Sequence, residues 1–356
     1  MKQITALLFS WMLILPAIAQ NVSKEYKFSR EWKADGGTIF ELVAKYQTFR
    51  IEFWDKDIVR IDFNMSTTDS KIKEEDFKEA LQVSGDRMGN KLTISTSMND
   101  LSSNSIWEWI FGSKKSKESY KVNNILYLPR NLVSLDLNFN YCDIKMGAIN
   151  LPAKIKSNYS TLFIQKSNKH TIINSSYTDI QLGEMSYVKI NSSYSDLIFN
   201  VIDTLNLGSS YDDIKLSNCG VLQSLTLSYS DAKIEKAGYI KATCTYSDLK
   251  VNSLTQELHG TLTYSDLKIN DIARNFSGIN ITGTYSDCLI KINPENPVNL
   301  SITDVNGDID LKNTRLNITK RQEVSVTTNL TAKTKNATDA SPFIKLNSNS
   351  CDLKIY

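Results

Sequence analysis

The chain is poor in the residues that most often carry catalysis. It contains two histidines, His170 and His259, and neither has a partner at a spacing that suits a catalytic pair. It also lacks a glycine-rich phosphate loop, a His/Cys metal-ligand spacing and a Gly-x-Ser-x-Gly elbow. We therefore predict that the protein is not an enzyme and has no catalytic residues, cofactor or metal.

An excess of charge of either sign is also missing. The 41 lysines and arginines nearly balance the 39 acidic residues, which argues against a nucleic-acid partner. Glycine and proline are scarce, at 14 and 6 residues, whereas Ser, Thr, Asn, Ile and Tyr are abundant. This composition favours strands over helices and predicts an all-β protein.

The N-terminus resembles a signal peptide, and no later stretch is apolar for long enough to span a membrane. Lys2 precedes an apolar run at residues 7–14, and Ala17-Ile18-Ala19 is a small-x-small cleavage site. A lipoprotein would need a cysteine just after that site, and the first cysteine is Cys142. We predict a signal peptide at 1–19 and an exported protein, periplasmic, secreted or on the cell surface, that is not a lipoprotein.

What the chain has in abundance is a repeat of 17–18 residues. Thr-Tyr-Ser-Asp-Leu-Lys at 245–250 returns almost unchanged at 263–268, and looser copies flank both. A fixed period of this kind is the signature of stacked repeats. The copies centre on Tyr141 and Asp143, Tyr159 and Thr161, Tyr177 and Asp179, Tyr194 and Asp196, Tyr211 and Asp213, Tyr229 and Asp231, Tyr246 and Asp248, Tyr264 and Asp266, and Tyr285 and Asp287.

The pattern around each tyrosine predicts a bend between two short strands. The positions three and five after Tyr are apolar in every copy, and the position between them is Lys in five, so one face is buried. The apolar positions before Tyr have the opposite parity, and a continuous strand cannot change faces without a bend. On parity alone, the tyrosine points inward or lies at the corner.

These features predict a single-stranded β-solenoid with short coils about 4.8 Å apart. We expect an N-terminal β region at 20–131 that caps the solenoid, interrupted by a loop insertion at 97–119. The repeats fill 132–356, and residues 348–356 restore the Asp-Leu-Lys-Ile register as the terminal coil. One short helix is expected at 69–83.

Local residue patterns predict a helix cap, a turn, a loop and the role of one cysteine. Asp69 or Ser70 is placed to cap the helix, and the acidic turn Asp55-Lys56-Asp57 separates two alternating strands as a hairpin turn does. Residues 327–342 read as a long loop. Five cysteines cannot all pair within the chain, and no specific bridge is predicted; Cys288 replaces Leu or Ile in its repeat and reads as a small core residue.

The aspartates at the bends are best explained as structural. An Asp at a bend accepts hydrogen bonds from nearby backbone N–H groups. A Ca²⁺ column is less favoured, because the coils have few glycines and one main acid each. We call the residues at these bends the corner set, and we predict a structural role for them, with binding as the less favoured alternative. They are Tyr177, Asp179, Tyr194, Asp196, Tyr211, Asp213, Tyr229, Asp231, Tyr246, Asp248, Tyr264, Asp266, Tyr285 and Asp287.

A second candidate surface lies in the insertion. Its aromatic and basic residues are Trp107, Trp109, Phe111, Lys114, Lys115 and Lys117. An exposed patch of this kind contacts a partner or a membrane surface. We favour a different interpretation, in which the insertion is a loop whose aromatic side chains fold over the open end of the β domain. Peripheral membrane contact is the less favoured alternative.

The chain resembles the exported bacterial β-strand-repeat proteins of an adhesin-like family of unknown function. The resemblance covers nearly the whole mature chain. It includes the strand pair from Phe49 to Phe63 around Trp54-Asp55, a strand ending at Pro129, and repeated bends written Tyr-Ser-Asp-Leu where the family has Ser-Gly-Asp-Ile. The resemblance implies a β-repeat scaffold and no established active site.

Two functions remain open at this point. The first is a non-enzymatic structural or interaction protein of the cell envelope that presents a repeated surface to a protein or a glycan. The alternative is a carbohydrate-binding or polysaccharide-cleaving β-helix protein that uses the Tyr and Asp columns. Buried tyrosines would exclude carbohydrate binding by these columns, and an exposed stripe beside the aspartates would favour it.

Overall fold

The computed structural model describes residues 23–68, 71–99, 120–311 and 315–356. Across these ranges the chain is nearly all β, with 24 strands in one sheet and a single helix. The predicted signal peptide, the helix caps at 69 and 70, and the patch from Trp107 to Lys117 lie outside the described residues. No helix within the described ranges is long and apolar enough to cross a membrane.

The elements follow one another in this order: β1 (Lys24–Lys33), β2 (Ile39–Lys45), β3 (Thr48–Trp54), β4 (Ile58–Thr67), α1 (Glu74–Ala80), β5 (Leu81–Met88), β6 (Lys91–Met98), β7 (Tyr120–Val122), β8 (Asn124–Pro129), β9 (Ser134–Asn140), β10 (Asp143–Ile149), β11 (Ala153–Ser193), β12 (Asp196–Ser210), β13 (Asp213–Ser228), β14 (Asp231–Thr245), β15 (Leu249–Thr263), β16 (Leu267–Ile269), β17 (Gly278–Thr284), β18 (Cys288–Ile290), β19 (Asn299–Val305), β20 (Asp308–Asp310), β21 (Leu316–Val324), β22 (Thr327–Thr334), β23 (Phe343–Asn349) and β24 (Asp352–Ile355).

Consecutive repeats pair in parallel with the same residue of each motif side by side. Leu197 of β12 lies beside Ile214 of β13, and Leu249 of β15 lies beside Leu267 of β16. The strands from β11 to β15 continue this pairing over most of their lengths. β11 runs without a break through two bends, at Tyr159 and Tyr177. Each repeat therefore lies directly on the next.

The buried columns predicted from the repeat are confirmed. The residues three and five after each repeat tyrosine, from Ile144 to Ile290, are all at most 4% exposed. Together they form one continuous apolar core along the stack. Cys288 is among them, as expected for a small core residue, and all five cysteines are buried and unpaired.

The N-terminal strands belong to the same stack. β2 and β3 pair in parallel with β9 and β10, so residues 39–51 form a further layer beneath the first predicted repeat. β6 and β8 add the next layer, again in parallel. The bend between β2 and β3 carries Tyr46, which stands in the tyrosine column.

Antiparallel strands lie outside both ends of the parallel stack. At one end, β5 pairs with β6, and β4 pairs with β8 and with β1. At the other end, β22 pairs with β19 and β21 pairs with β22. A parallel stack exposes unpaired backbone groups at its ends, and these strands cover them.

Four local expectations are corrected. The strands flanking Asp55–Asp57 do not form a hairpin, because β8 lies between β3 and β4 and pairs with both. Residues 327–334 are strand β22 rather than loop, since Leu330 and Ala332 alternate into the core. The helix is shorter than predicted, because residues 81–83 pair with β6 as part of β5.

The fourth correction concerns the C-terminus. β23 and β24 lie between β17–β18 on one side and β19–β20 on the other, in parallel with both. The final residues of the chain are therefore inserted into the stack instead of closing its end. The repeat register at 348–356 predicted the strand correctly, but register carries no information on the order of layers.

Candidate functional site

Each tyrosine of the column occupies the left-handed backbone region. The ten residues have φ between 50° and 58°. A left-handed residue interrupts the alternation of a strand, so the tyrosine points outward, as the half-buried residue before it does, and the residue after it points inward. Of the two alternatives that parity left open, the inward tyrosine is wrong, and the tyrosine at a corner is confirmed. The ten are Tyr46, Tyr141, Tyr159, Tyr177, Tyr194, Tyr211, Tyr229, Tyr246, Tyr264 and Tyr285.

The tyrosine rings form an exposed stack, which we name the Tyr ladder. Neighbouring ring centroids lie 4.8–5.2 Å apart, with interplanar angles of 16° or less, without interruption from Tyr46 to Tyr285. From Tyr159 onward the residues are 41–53% exposed. The faces of an interior ring are turned to its neighbours, so the ladder presents ring edges and hydroxyl groups to solvent.

The residue after each tyrosine holds the bend from inside. The backbone N–H of Ser247 donates to Oγ of Ser265 at 3.0 Å, and Ser265 N–H donates to Oγ of Ser286 at 3.0 Å. Each serine hydroxyl also donates to the carbonyl two residues earlier, as Ser247 does to Thr245 at 2.9 Å. Serine is short enough to serve both partners within the bend. We name this set, which Cys142 and Cys351 join at its two ends, the serine ladder.

Asp212 takes a serine's place in the serine ladder. Its carboxylate accepts the N–H of Ser195 at 2.8 Å and the hydroxyl of Ser209 at 2.7 Å, and the residue is 2% exposed. Burial raises the pKa of Asp212 above its usual range, while the two hydrogen bonds oppose that rise. This aspartate is a buried part of the bend and is distinct from the exposed aspartates beside it.

The exposed aspartates form a column one position further along the coil. Backbone N–H groups of the next layer donate to several of them: Asp248 to Asp231 at 3.2 Å, and Asp266 to Asp248 at 3.3 Å. The bonds run between layers, whereas the sequence suggested donors within one bend. At strand spacing, two unit charges repel by about 0.9 kcal/mol even in water. Burial raises the pKa of Asp248, and the carboxylates of its two neighbours raise it further.

A lysine column follows the aspartates over part of the stack. Lys215, Lys233, Lys250 and Lys268 lie side by side in successive layers. In the layers of Asp179 and Asp196 the same position is Gln181 or Ile198. The aspartates from Asp213 to Asp266 therefore have a lysine two residues later, whereas Asp179 and Asp196 have an uncharged residue there.

The Tyr ladder and the exposed aspartates border an open groove of about 610 Å³. The groove is lined by residues of five successive layers in the middle of the stack. Its lining consists of tyrosines and aspartates together with Ser195. The residues are Asp179, Tyr194, Ser195, Asp196, Tyr211, Asp212, Asp213, Tyr229, Asp231 and Tyr246.

The structure brings the whole predicted corner set into two neighbouring columns, and sequence reasoning missed two features. Tyr46 was missed because Gln47 and Thr48 replace the Ser-Asp of the motif. His259 does have a carboxylate partner: its Nε2 lies 2.8 Å from Oε1 of Glu257, because residues two apart on a strand share a face. Within the described ranges, no cluster of three or more His, Cys, Asp or Glu side chains is arranged to hold a metal ion.

No family model matches the chain, and no curated protein matches it. Several solved structures do resemble it. A candidate cell adhesion protein from Clostridium sporogenes is 8% identical, with a TM-score of 0.25, and the match covers 94% of this chain and 100% of the other. A candidate adhesin from Parabacteroides distasonis is 12% identical, with a TM-score of 0.34, over 74% of this chain and 97% of its own.

A third structure, a candidate lipid-binding protein from Parabacteroides distasonis, is 12% identical with a TM-score of 0.34, over 72% of this chain and 94% of its own.

Proposed function

We propose that the chain is a non-enzymatic β-solenoid scaffold of the cell envelope that presents the Tyr ladder and the aspartate column as a repeated binding surface. In this proposal residues 1–19 direct export, residues 20–131 close one end, and the layers of 132–356 carry the surface to a protein or glycan partner. The observation that carries the proposal is the unbroken stack of ten tyrosines, of which the eight from Tyr159 onward are exposed.

The backbone at these bends gives little reason to choose tyrosine. A bulky side chain in the left-handed region costs about 1–2 kcal/mol, whereas Asn and Gly tolerate it. Each aromatic contact returns about 0.5–1.5 kcal/mol. The two terms are of the same size, so folding alone does not explain ten tyrosines in this position. A binding role for the exposed edges and hydroxyl groups does.

Exposure of the tyrosines supports a carbohydrate as the partner. Phenol hydroxyls and aspartate carboxylates are groups that exchange hydrogen bonds with sugar hydroxyls. Because interior ring faces are covered by neighbouring rings at 4.8–5.0 Å, a sugar would contact the ladder through ring edges and hydroxyls. The recognition we propose is therefore polar and periodic.

The test is binding of the whole protein to a glycan array and to washed bacterial envelopes. The variant Tyr211→Asn/Tyr229→Asn keeps a residue type that tolerates the bend and removes two rings from the ladder. We expect its binding to fall at least tenfold. Tyr239→Asn is the matched control, since Tyr239 lies outside the ladder beside His259.

Equal binding by the wild type, the double variant and the control, with all three folded, would overturn the proposal. So would the absence of any binding by the wild-type protein to both the array and the envelopes.

A further inference from the structure

The groove between the Tyr ladder and the aspartate column has an unusual charge. Four exposed aspartates, from Asp179 to Asp231, form one side, and four tyrosines, from Tyr194 to Tyr246, form the other. No lysine, arginine or histidine lines it. The groove is therefore anionic along one wall and carries phenol hydroxyls along the other.

Three of the four carboxylates of this wall are free to bind a ligand, and the fourth, Asp231, accepts the backbone N–H of Asp248 at 3.2 Å. Those of Asp179, Asp196 and Asp213 make no hydrogen bond or ion pair with any part of the chain that the structure describes. Lys233 follows Asp231 by two residues and is paired with Glu235 at 2.6 Å, and Lys215 follows Asp213 by two residues without lining the groove. Charge complementarity thus favours a ligand that carries positive charge and hydrogen-bond donors.

The spacing of the layers restricts the shape of that ligand. Tyrosine rings along the groove repeat every 4.9–5.0 Å. An extended peptide presents side chains on one face only about every 6.7 Å, so it loses register by more than one layer over this length. A β-1,4-linked chain of pyranose sugars advances by close to one strand spacing per sugar and keeps its register.

We propose that the groove binds a linear polysaccharide of amino sugars with free ammonium groups, lying along the stack with one sugar per layer. Successive sugars turn over, so every second ammonium group faces the aspartates, while hydroxyl groups meet the phenols and the remaining carboxylates. This inference rests on the proposed function and names the class of ligand for the same surface.

The experiment compares two hexamers that differ only in whether each amine is acetylated, and therefore in whether it carries a charge. The β-1,4-linked hexamer of glucosamine carries ammonium groups, and the hexamer of N-acetylglucosamine is neutral. By isothermal titration calorimetry at low ionic strength, we expect the glucosamine hexamer to bind at least tenfold more tightly. Its affinity falls with added salt. The glucosamine dimer binds at least tenfold more weakly than the hexamer, because it spans two layers of the groove and the hexamer spans its whole length.

A matched pair of variants locates the site. Asp196→Asn removes one charge from the wall of the groove, and Asp203→Asn removes one charge from an exposed residue outside it. We expect the first to weaken glucosamine-hexamer binding at least fivefold and the second to change it less than twofold. Equal losses would mean that the protein attracts the oligomer only through its net charge, which overturns the inference.

Three other results overturn the inference and separate it from the proposed function. If the two hexamers bind equally, the groove recognises a glycan without regard to its charge. If spermine binds as tightly as the glucosamine hexamer, the groove attracts any polycation. If neither hexamer binds but Tyr211→Asn/Tyr229→Asn still reduces envelope binding, the inference fails and the proposed function stands. If that variant also binds envelopes like the wild type, both fail.

Discussion

The ten bends that carry tyrosine and the two bends beyond them have the same backbone. Ser350 and Asn306 continue the column with φ of 56° and 58°, within the range of the tyrosines. The N–H of Tyr285 donates to the carbonyl of Asn349, and that of Ser350 donates to the carbonyl of Val305, so the layers also pair in the same way. The bend therefore forms without an aromatic ring at the left-handed position.

The bends that carry tyrosine and the bends beyond them both have a buried polar group close to the left-handed residue. In the tyrosine layers it is the serine ladder, and at Gly307 the N–H donates to the buried carboxylate of Asp304 at 2.7 Å. A Cβ on Gly307 would lie 2.1 Å from the carbonyl oxygen of Cys351, so only glycine fits there. The inner hydrogen bond, and not the outer side chain, is the constant feature.

The largest effect should come from breaking that inner bond. Ser247→Ala leaves the N–H of Ser230 buried without the acceptor it has at 3.0 Å. An unsatisfied buried donor costs about 1–3 kcal/mol. We expect urea unfolding to show a loss of that size. Ser228→Ala, at the half-buried position before Tyr229, is the control and should cost less than about 0.5 kcal/mol. Similar losses in the two variants would contradict the role of the serine ladder.

A smaller loss of stability should distinguish a tyrosine in the middle of the Tyr ladder from the tyrosine at its end. Tyr246 has a ring 5.0 Å away on both sides, whereas Tyr285 stacks on Tyr264 and is followed by Ser350. Tyr246→Asn therefore breaks two ring contacts and Tyr285→Asn breaks one. We expect the first variant to be less stable than the second by about 0.5–1.5 kcal/mol, measured by urea unfolding.

The reverse change, Ser350→Tyr, extends the ladder by one ring. The backbone there is already left-handed, so we expect the unfolding free energy to change by less than about 1 kcal/mol, while the near-ultraviolet circular dichroism of the stack increases. A variant that unfolds, or that leaves the near-ultraviolet signal unchanged, would show that the last bends are not equivalent to the others.

The smallest effect concerns Asp212, the one aspartate inside the serine ladder. Because burial raises its pKa, the folded protein retains a proton that the unfolded chain loses, and stability falls as the pH rises from the unfolded pKa through the folded one. Asp212→Ser restores the residue found in neighbouring layers. We expect it to stabilise the protein by about 0.5 kcal/mol at pH 7 and by less at pH 4, in thermal unfolding. A pH-independent difference would contradict a buried carboxylate there.

The repeat made much of this fold predictable. The apolar columns on each side of the motif identified the buried faces, and the change of parity identified the bend, because both depend only on neighbouring residues. The direction of the tyrosine was not predictable in the same way. A single residue with positive φ reverses the alternation, and the sequence does not mark which residue of Tyr-Ser-Asp adopts it.

Features that depend on distant partners were predicted least well. The turn at Asp55–Asp57 has the composition of a hairpin, but β8 inserts between the two strands from 70 residues away. The C-terminal strands carry the right register and lie between layers that come before them in the chain. Local signals specify a strand and its buried face, and tertiary packing specifies its neighbours.

The proposed binding surface requires the tyrosines of the Tyr ladder to point outward. Chemical labelling of the tyrosine hydroxyls in the native protein tests this most directly. With N-acetylimidazole and peptide mass mapping, we predict acetylation along the ladder from Tyr159 to Tyr285 in the folded state. The buried thiol of Cys142, whose pKa burial raises to about 12, reports that the protein is folded by staying unreactive. Ladder tyrosines that resist acetylation until Cys142 also reacts would contradict the account.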